Sequence, residues 1–171
     1  AMLNAIMHSI IKQDLVNKEF INNRTEGYSA LEKHLLDYPP EQIEKICGIP
    51  ADTLHEIARV FANSKGSMIF WGMGISQHIH GTDNARCLIA LSMMTGQIGR
   101  PGTGLHPLRG QNNVQGASDV GLIPMVFPDY QRVDDREAHR RFEKLWDASL
   151  DDKPGLTVVE IMQAVTDGQL N

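Results

Sequence analysis

Seven residues decide the fold of this chain: Met68-Ile69-Phe70-Trp71-Gly72-Met73-Gly74. The first four form a short continuous apolar run, which is typical of a strand buried on both faces of a parallel sheet; only its shortness argues against a helix. The two glycines predict a turn, and helical periodicity then runs from Thr82 to about Thr95. Because helix, strand, glycine turn and helix form the unit of a doubly wound domain, the stretch predicts an α/β fold.

The residues on either side of this stretch are predominantly helical in pattern. In the first 65 residues, apolar side chains recur at helical spacing, as at Ile6 and Ile10, and Pro40 opens a short helix that Gly48 ends. Two further helices are predicted at about 135–146 and 157–165. We therefore predict one three-layer, doubly wound α/β domain over residues 1–171. It has a short, mostly parallel sheet, helices on both faces and a helix-rich N-terminal third.

Composition excludes several classes of function. The 171 residues carry 16 basic and 21 acidic side chains, and this net charge of −5 argues against a nucleic-acid partner. No apolar run approaches the roughly 20 residues of a membrane span. Cys47 and Cys87 have no short spacing that would indicate a disulfide framework or an iron–sulfur motif. These features predict a cytoplasmic protein, and the start on Ala1, directly in helical periodicity, suggests a piece of a longer chain.

A long Gly- and Pro-rich passage from about residue 96 to 135 has too little periodicity for regular elements and is predicted to be a functional loop. It contains Arg109-Gly110-Gln111-Asn112-Asn113-Val114-Gln115-Gly116, with four carboxamides, one guanidinium and two glycines. So many hydrogen-bonding groups beside a cation suit a polar heteroaromatic or anionic ligand. The alternative is a turn whose amide side chains bind their own backbone, with Arg109 in a surface ion pair.

The Gly72-Met73-Gly74 turn follows the predicted strand, where ligands gather in open α/β sheets and where glycines let backbone N–H groups approach a phosphate. A dinucleotide fingerprint would have a third glycine where this chain has Gln77, so ordinary NAD binding is not indicated. His78 and His80 would face the same way only on a strand, and no third ligand is spaced to join them, so no metal site is predicted.

Three segments of the chain resemble one known family. Residues 109–116, with Ala117-Ser118-Asp119 and Pro124 after them, resemble the active-site loop of molybdenum- and tungsten-dependent formate dehydrogenase catalytic subunits. Residues 71–77 resemble the cofactor-binding turn of these subunits, and residues 84–102 resemble the segment between the two. The resemblance runs from about residue 3 to residue 135.

The resemblance implies specific roles for six residues and a set of cofactors. Gly72, Met73, Gly74 and Gln77 are expected at one guanine dinucleotide arm of a bis-molybdopterin cofactor that carries molybdenum or tungsten, with Gln111 as a further cofactor contact. Arg109 is expected to orient formate, since a guanidinium offers two parallel N–H donors that match the two oxygens of a carboxylate. Electrons from formate are expected to leave through iron–sulfur clusters toward NAD-linked electron-transfer subunits.

Several parts of the family's site have no match in this sequence. The cysteine or selenocysteine that binds the metal, the histidine beside it and the four cysteines of a 4Fe-4S cluster belong to an earlier stretch of the family's subunit. We therefore expect a central portion of a larger subunit that by itself has no dehydrogenase activity and retains no metal. Two alternatives are a nitrate reductase, whose family loop reads Thr-Gly-Gln-Pro-Asn, and a non-catalytic binding or assembly domain that reuses the fold.

Overall fold

The computed structural model describes residues 1–170, and these divide into two compact units, residues 1–109 and 110–170. From the sequence we predicted one domain over the whole chain. The boundary between the two units lies inside the passage 96–135, at the glycine that follows Arg109. The segment predicted to be a functional loop therefore contributes residues to both units.

The first unit is mainly helical, as the apolar periodicity predicted. Pro40 occupies the first turn of its helix, and Gly48 ends that helix in the left-handed conformation with φ 72°. The elements of this unit are α1 Met2–Lys12, α2 Lys18–Arg24, α3 Tyr28–Leu35, α4 Pro40–Cys47, α5 Ala51–Asn63, β1 Met68–Trp71, α6 Met73–Ser76, α7 Gly81–Met94 and β2 Gly104–Pro107.

The core of the first unit forms around α1. Ile6 and Ile10 on this helix are buried, as their helical spacing predicted. The ring of His8, also on α1, is tied by Nδ1 to the carbonyl oxygen of Leu35 at 2.8 Å. The same core cluster includes Ile21, Leu35, Ile43, Leu54, Ala58, Leu91 and Met94, and Ile69 of β1 packs against it. One face of β1 is therefore anchored to the helical core.

The two strands of the first unit run parallel, in a register that pairs Met68 with Gly104 and Trp71 with Pro107. The predicted strand and its parallel pairing are therefore confirmed, but its burial on both faces is wrong. Met68 is 50% and Phe70 is 58% exposed. Successive side chains of a strand point to opposite faces, and among residues 1–109 the helical core covers only the face that carries Ile69.

A buried amide joins the two segments that lead into these strands. The Gln97 side chain accepts from the Ser67 backbone N–H (2.9 Å) and donates to the carbonyl oxygens of Phe61 (3.2 Å) and Ser64 (3.0 Å). Arg100 also donates to the Gln97 oxygen, at 2.8 Å. The chain before β1 and the chain before β2 are therefore held together at the strands' amino ends.

The second unit consists of short elements around an aromatic core. They are α8 Val114–Asp119, β3 Val126–Phe127, β4 Gln131–Arg132, α9 Arg136–Trp146 and α10 Val158–Thr166, with β3 and β4 antiparallel. Phe127 stacks on Phe142 with ring centroids 4.7 Å apart. Asp135 caps α9 and Thr157 begins α10 with a capping box, so both helices predicted there are confirmed.

The prediction that residues 96–135 lack regular elements is wrong, because β2, α8, β3 and β4 all lie in this passage. These elements are only two to six residues long, so their apolar periodicity is too brief to be detected. Within residues 1–170, no helix has the length and apolar character that a membrane crossing requires.

Candidate active site at the carboxyl edge of the sheet

Both strands of the first unit end at the same edge because they are parallel. The ladder continues one step past their ends, where the backbone N–H of Leu108 donates to the carbonyl oxygen of Trp71 at 2.7 Å. Gly72, which follows β1, and Leu108 and Arg109, which follow β2, therefore emerge from neighbouring strands. Two segments that are far apart in the sequence meet at this edge.

Neither glycine of the 72–74 turn is explained by the packing of the first unit. Gly72 begins α6 with φ −131°, which other residues also adopt. A Cβ atom on Gly72 would meet only the Leu108 carbonyl oxygen, at 3.8 Å, and one on Gly74 would meet no heavy atom within 4 Å. The turn thus presents bare backbone to open space, an arrangement that suits the close approach of a ligand.

Residues of α7 contact the segment that follows the turn and support it. The Asn84 side-chain amide donates to the carbonyl oxygen of Ile75 at 3.0 Å. At Gly81 a Cβ atom would lie 1.8 Å from the carbonyl oxygen of Ser76, so only glycine allows α7 to begin this close to the end of α6. Neither residue could be identified from the sequence, since each acts through a contact that no local pattern encodes. A glycine at the start of a predicted helix was the only available signal.

The six residues proposed from the sequence fall in two groups. Gly72, Met73, Gly74, Gln77 and Arg109 belong to the first unit and follow the carboxyl ends of β1 and β2. Met73, Gln77 and Arg109 are exposed, as an interaction with a ligand requires. Gln111 is also exposed and belongs to the second unit, where it precedes α8.

In residues 109–116, which we call the signature loop, the side chains of Asn113 and Gln115 make structural hydrogen bonds. Asn113 has φ 52° and begins α8, and its side-chain oxygen accepts from the Gly116 backbone N–H at 3.2 Å. The Gln115 side chain donates to Asp119 Oδ1 and to the Tyr130 hydroxyl oxygen, both at 3.0 Å. The resulting short helix fixes the segment that follows Gln111.

Two histidines near the site and Cys87 have structural contacts. His78 Nε2 lies 2.7 Å from the Gly74 carbonyl oxygen, and the His106 ring stacks on Phe70 with centroids 4.8 Å apart. Burial raises the pKa of the Cys87 thiol, which donates to the Asn4 side-chain oxygen at 3.3 Å. The part of the chain that the structure describes contains no group of three or more His, Cys, Asp or Glu residues that could hold a metal ion.

The chain belongs to the molybdopterin oxidoreductase family, whose model matches residues 1–171. It is 45% identical over 162 residues to the F420-dependent formate dehydrogenase subunit alpha of Methanocaldococcus jannaschii, an alignment that covers 95% of this chain and 24% of the relative. It is 40% identical over 171 residues to formate dehydrogenase H of Escherichia coli, covering 99% of this chain and 24% of that protein.

A nitrate reductase of Synechocystis is also similar, at 33% identity over 172 residues, which covers 99% of this chain and 24% of the relative. Among solved structures, acetylene hydratase from Pelobacter acetylenicus superposes with a TM-score of 0.57 at 22% identity over 59% of this chain and 14% of that one. The superposition concerns the fold alone. The chain spans about a quarter of the length of each of these three relatives.

Proposed function

We propose that this chain is a central part of the catalytic subunit of a formate dehydrogenase, which oxidises formate to carbon dioxide at a molybdenum or tungsten bis-molybdopterin guanine dinucleotide centre. The observation that carries the proposal is the bond from the Leu108 N–H to the Trp71 carbonyl oxygen, because it sets the only arginine of the signature loop beside the open glycine turn. The 40% to 45% identity to formate dehydrogenase subunits supports the same substrate.

The residues of the turn fit one dinucleotide arm of the proposed cofactor. Gly72 and Gly74 leave room for a ligand against the backbone, and a phosphate there would accept from backbone N–H groups. Met73 and Gln77 flank this bare backbone with exposed side chains that could contact the rest of the arm. Gln111, in the second unit, is proposed as a further contact of the cofactor.

Arg109 is proposed to bind and orient the substrate. The reaction removes a proton and two electrons from formate to give carbon dioxide, and the metal centre, when bound, accepts those electrons. A guanidinium can donate two parallel hydrogen bonds to the two carboxylate oxygens, which fixes the direction of the substrate's C–H bond. Because arginine remains protonated at every working pH, the substrate site keeps its positive charge.

The three-layer architecture, the cytoplasmic location and the electron-transfer partners are also proposals. The exposed face of β1, with Met68 and Phe70, supports a full subunit in which further strands and helices complete a three-layer, doubly wound domain. We propose that both units belong to that one domain in the cytoplasmic parent enzyme.

A 4Fe-4S cluster elsewhere in the parent would pass electrons to partner subunits linked to NAD. The relative from Methanocaldococcus jannaschii is named for F420 instead, which makes the electron acceptor a separate point to test.

The test uses the full-length subunit and compares formate oxidation with nitrate reduction under the same conditions. Arg109→Lys keeps the charge but loses the planar fork. The variant should lose roughly 2–4 kcal/mol of transition-state stabilisation, and kcat/KM for formate should fall accordingly. Arg86→Lys is the matched control, since Arg86 is an exposed arginine paired with Asp83 on α7. It should change kcat/KM less than about twofold.

Each outcome decides between the proposed function and its alternatives. Reduction of nitrate without oxidation of formate would assign the chain to the nitrate reductase branch. An absence of both activities in a protein loaded with metal would favour a binding or assembly role. Near-normal kinetics for Arg109→Lys would remove the substrate role of Arg109 while leaving the family assignment intact.

A further inference from the structure

Two consecutive residues of the second unit hold an unfavourable backbone conformation. Asp129 and Tyr130 have φ of 60° and 53°, and together with Pro128 they form a short 3-10 turn. The left-handed region is uncommon for residues with a Cβ atom, and for a bulky aromatic residue it is a clear outlier. Such conformations persist where the surrounding structure requires them, which occurs often at functional sites.

The strained turn brings the Tyr130 hydroxyl to the signature helix. Its oxygen accepts from Gln115 Nε2 at 3.0 Å, and the same amide donates to Asp119 Oδ1 at 3.0 Å. Gln115 lies in the first turn of α8, two residues after Asn113, which caps the helix. The helix is therefore fixed by its own cap at one end and by a phenol from a separate segment.

The aromatic core does not explain why Tyr130 adopts this conformation. Its side chain is 48% exposed, so only half of its surface is buried. The aromatic core of the unit is formed by Phe127, Phe142 and Trp146, whose ring contacts do not involve Tyr130. The bond to Gln115 is the specific contact that the conformation provides.

We propose that Tyr130 is a positioning residue for the active-site loop: through Gln115 it fixes α8 and thereby the orientation in which Gln111 meets the cofactor. The inference rests on the proposed function, because it concerns the same loop. Tyr130 acts here through another side chain and is not a catalytic residue. The backbone strain at 129 and 130 is retained because the position of the phenol requires it.

The test is made on the full-length holoenzyme with Tyr130→Phe, which removes the hydroxyl and keeps the ring. Loss of one neutral hydrogen bond should speed the release of pterin about 3- to 10-fold and should speed hydrogen exchange in residues 111–119 by a similar factor. Tyr28→Phe is the matched control, because the Tyr28 hydroxyl donates to Glu32 within α3. It should leave both rates unchanged.

A double-mutant cycle shows whether Tyr130 acts through its hydrogen bond to Gln115, which we call the tether, or whether the two residues act independently. If Tyr130 acts through Gln115, the double variant Gln115→Met with Tyr130→Phe should be no worse than the more affected single variant. Additive effects, or unchanged exchange in residues 111–119 for Tyr130→Phe, would overturn the proposal. The exchange measurement needs neither substrate nor turnover. A lack of formate oxidation would therefore count against the proposed function, whereas unchanged exchange would count against the tether.

Discussion

Replacement of Gln97 should test most directly what holds β1 and β2 together. Its side chain is 1% exposed and makes four hydrogen bonds to the segments that precede β1 and β2. Gln97→Met keeps the length and approximate volume of the side chain but removes every one of these bonds. The change therefore tests the polar contacts with little change in packing.

The expected cost follows from what each former partner retains. The Phe61 carbonyl still accepts from the Ser67 hydroxyl at 3.1 Å, and the Arg100 guanidinium still donates to the carbonyl oxygens of Gly96 and Lys65. The Ser67 backbone N–H is half-buried and loses its acceptor, which costs about 1–3 kcal/mol, and the other bonds contribute about 0.5–1.5 kcal/mol each. With partial compensation by the methionine, we expect about 3 kcal/mol of local destabilisation.

Hydrogen–deuterium exchange of the full-length subunit, read by mass spectrometry, can measure this loss in the peptides that contain β1 and β2. A change of about 3 kcal/mol corresponds to roughly 100-fold faster exchange of the amides that open with these strands. The matched control is Gln13→Met, because Gln13 is exposed and makes a single bond to the His55 carbonyl oxygen. If Gln97→Met and Gln13→Met gave the same protection as the parent, the buried amide would not be what joins the two segments.

The other predictions concern the glycines and the signature loop. Gly81→Ala should destabilise the subunit by about 1–3 kcal/mol, since its Cβ would lie 1.8 Å from the Ser76 carbonyl oxygen and a backbone must move. Gly74→Ala has open space and should leave thermal unfolding of the apoprotein unchanged while it reduces pterin content; a stability loss as large as that of Gly81→Ala would contradict the steric argument. Gln111→Ala should lower metal and pterin occupancy before it lowers turnover per bound metal, and full occupancy would argue against a cofactor contact.

The sequence predicted most of the helices because their signals are local. Apolar spacing, Pro40 at a first turn and Gly48 at a helix end need no knowledge of distant residues. Strand β2 was missed because Gly-Leu-His-Pro has no continuous apolar run; it is a strand through its pairing with β1. The burial of β1 was overestimated for a related reason, since an apolar run cannot indicate whether this chain supplies a cover for each face.

The candidate site shows the same limit. Arg109 and the 72–77 turn were identified by their residue types and by resemblance, but their meeting at one edge depends on a backbone bond between residues 71 and 108. Asn84 and Gly81 were missed because their contacts with Ile75 and Ser76 are tertiary. Tyr130 was missed because nothing in the sequence indicates its left-handed backbone or its bond to Gln115.

The bond between Leu108 and Trp71 joins main-chain atoms only, and this affects how the protein can evolve. Every residue except proline has the N–H that position 108 contributes, so the side chains around this edge can change while the separation between arginine and glycine turn is preserved. Distant relatives could therefore keep the same reactive geometry although the strand that supports it has diverged. A search for such relatives would do better to compare backbone pairing at this edge than to compare the residues of β2.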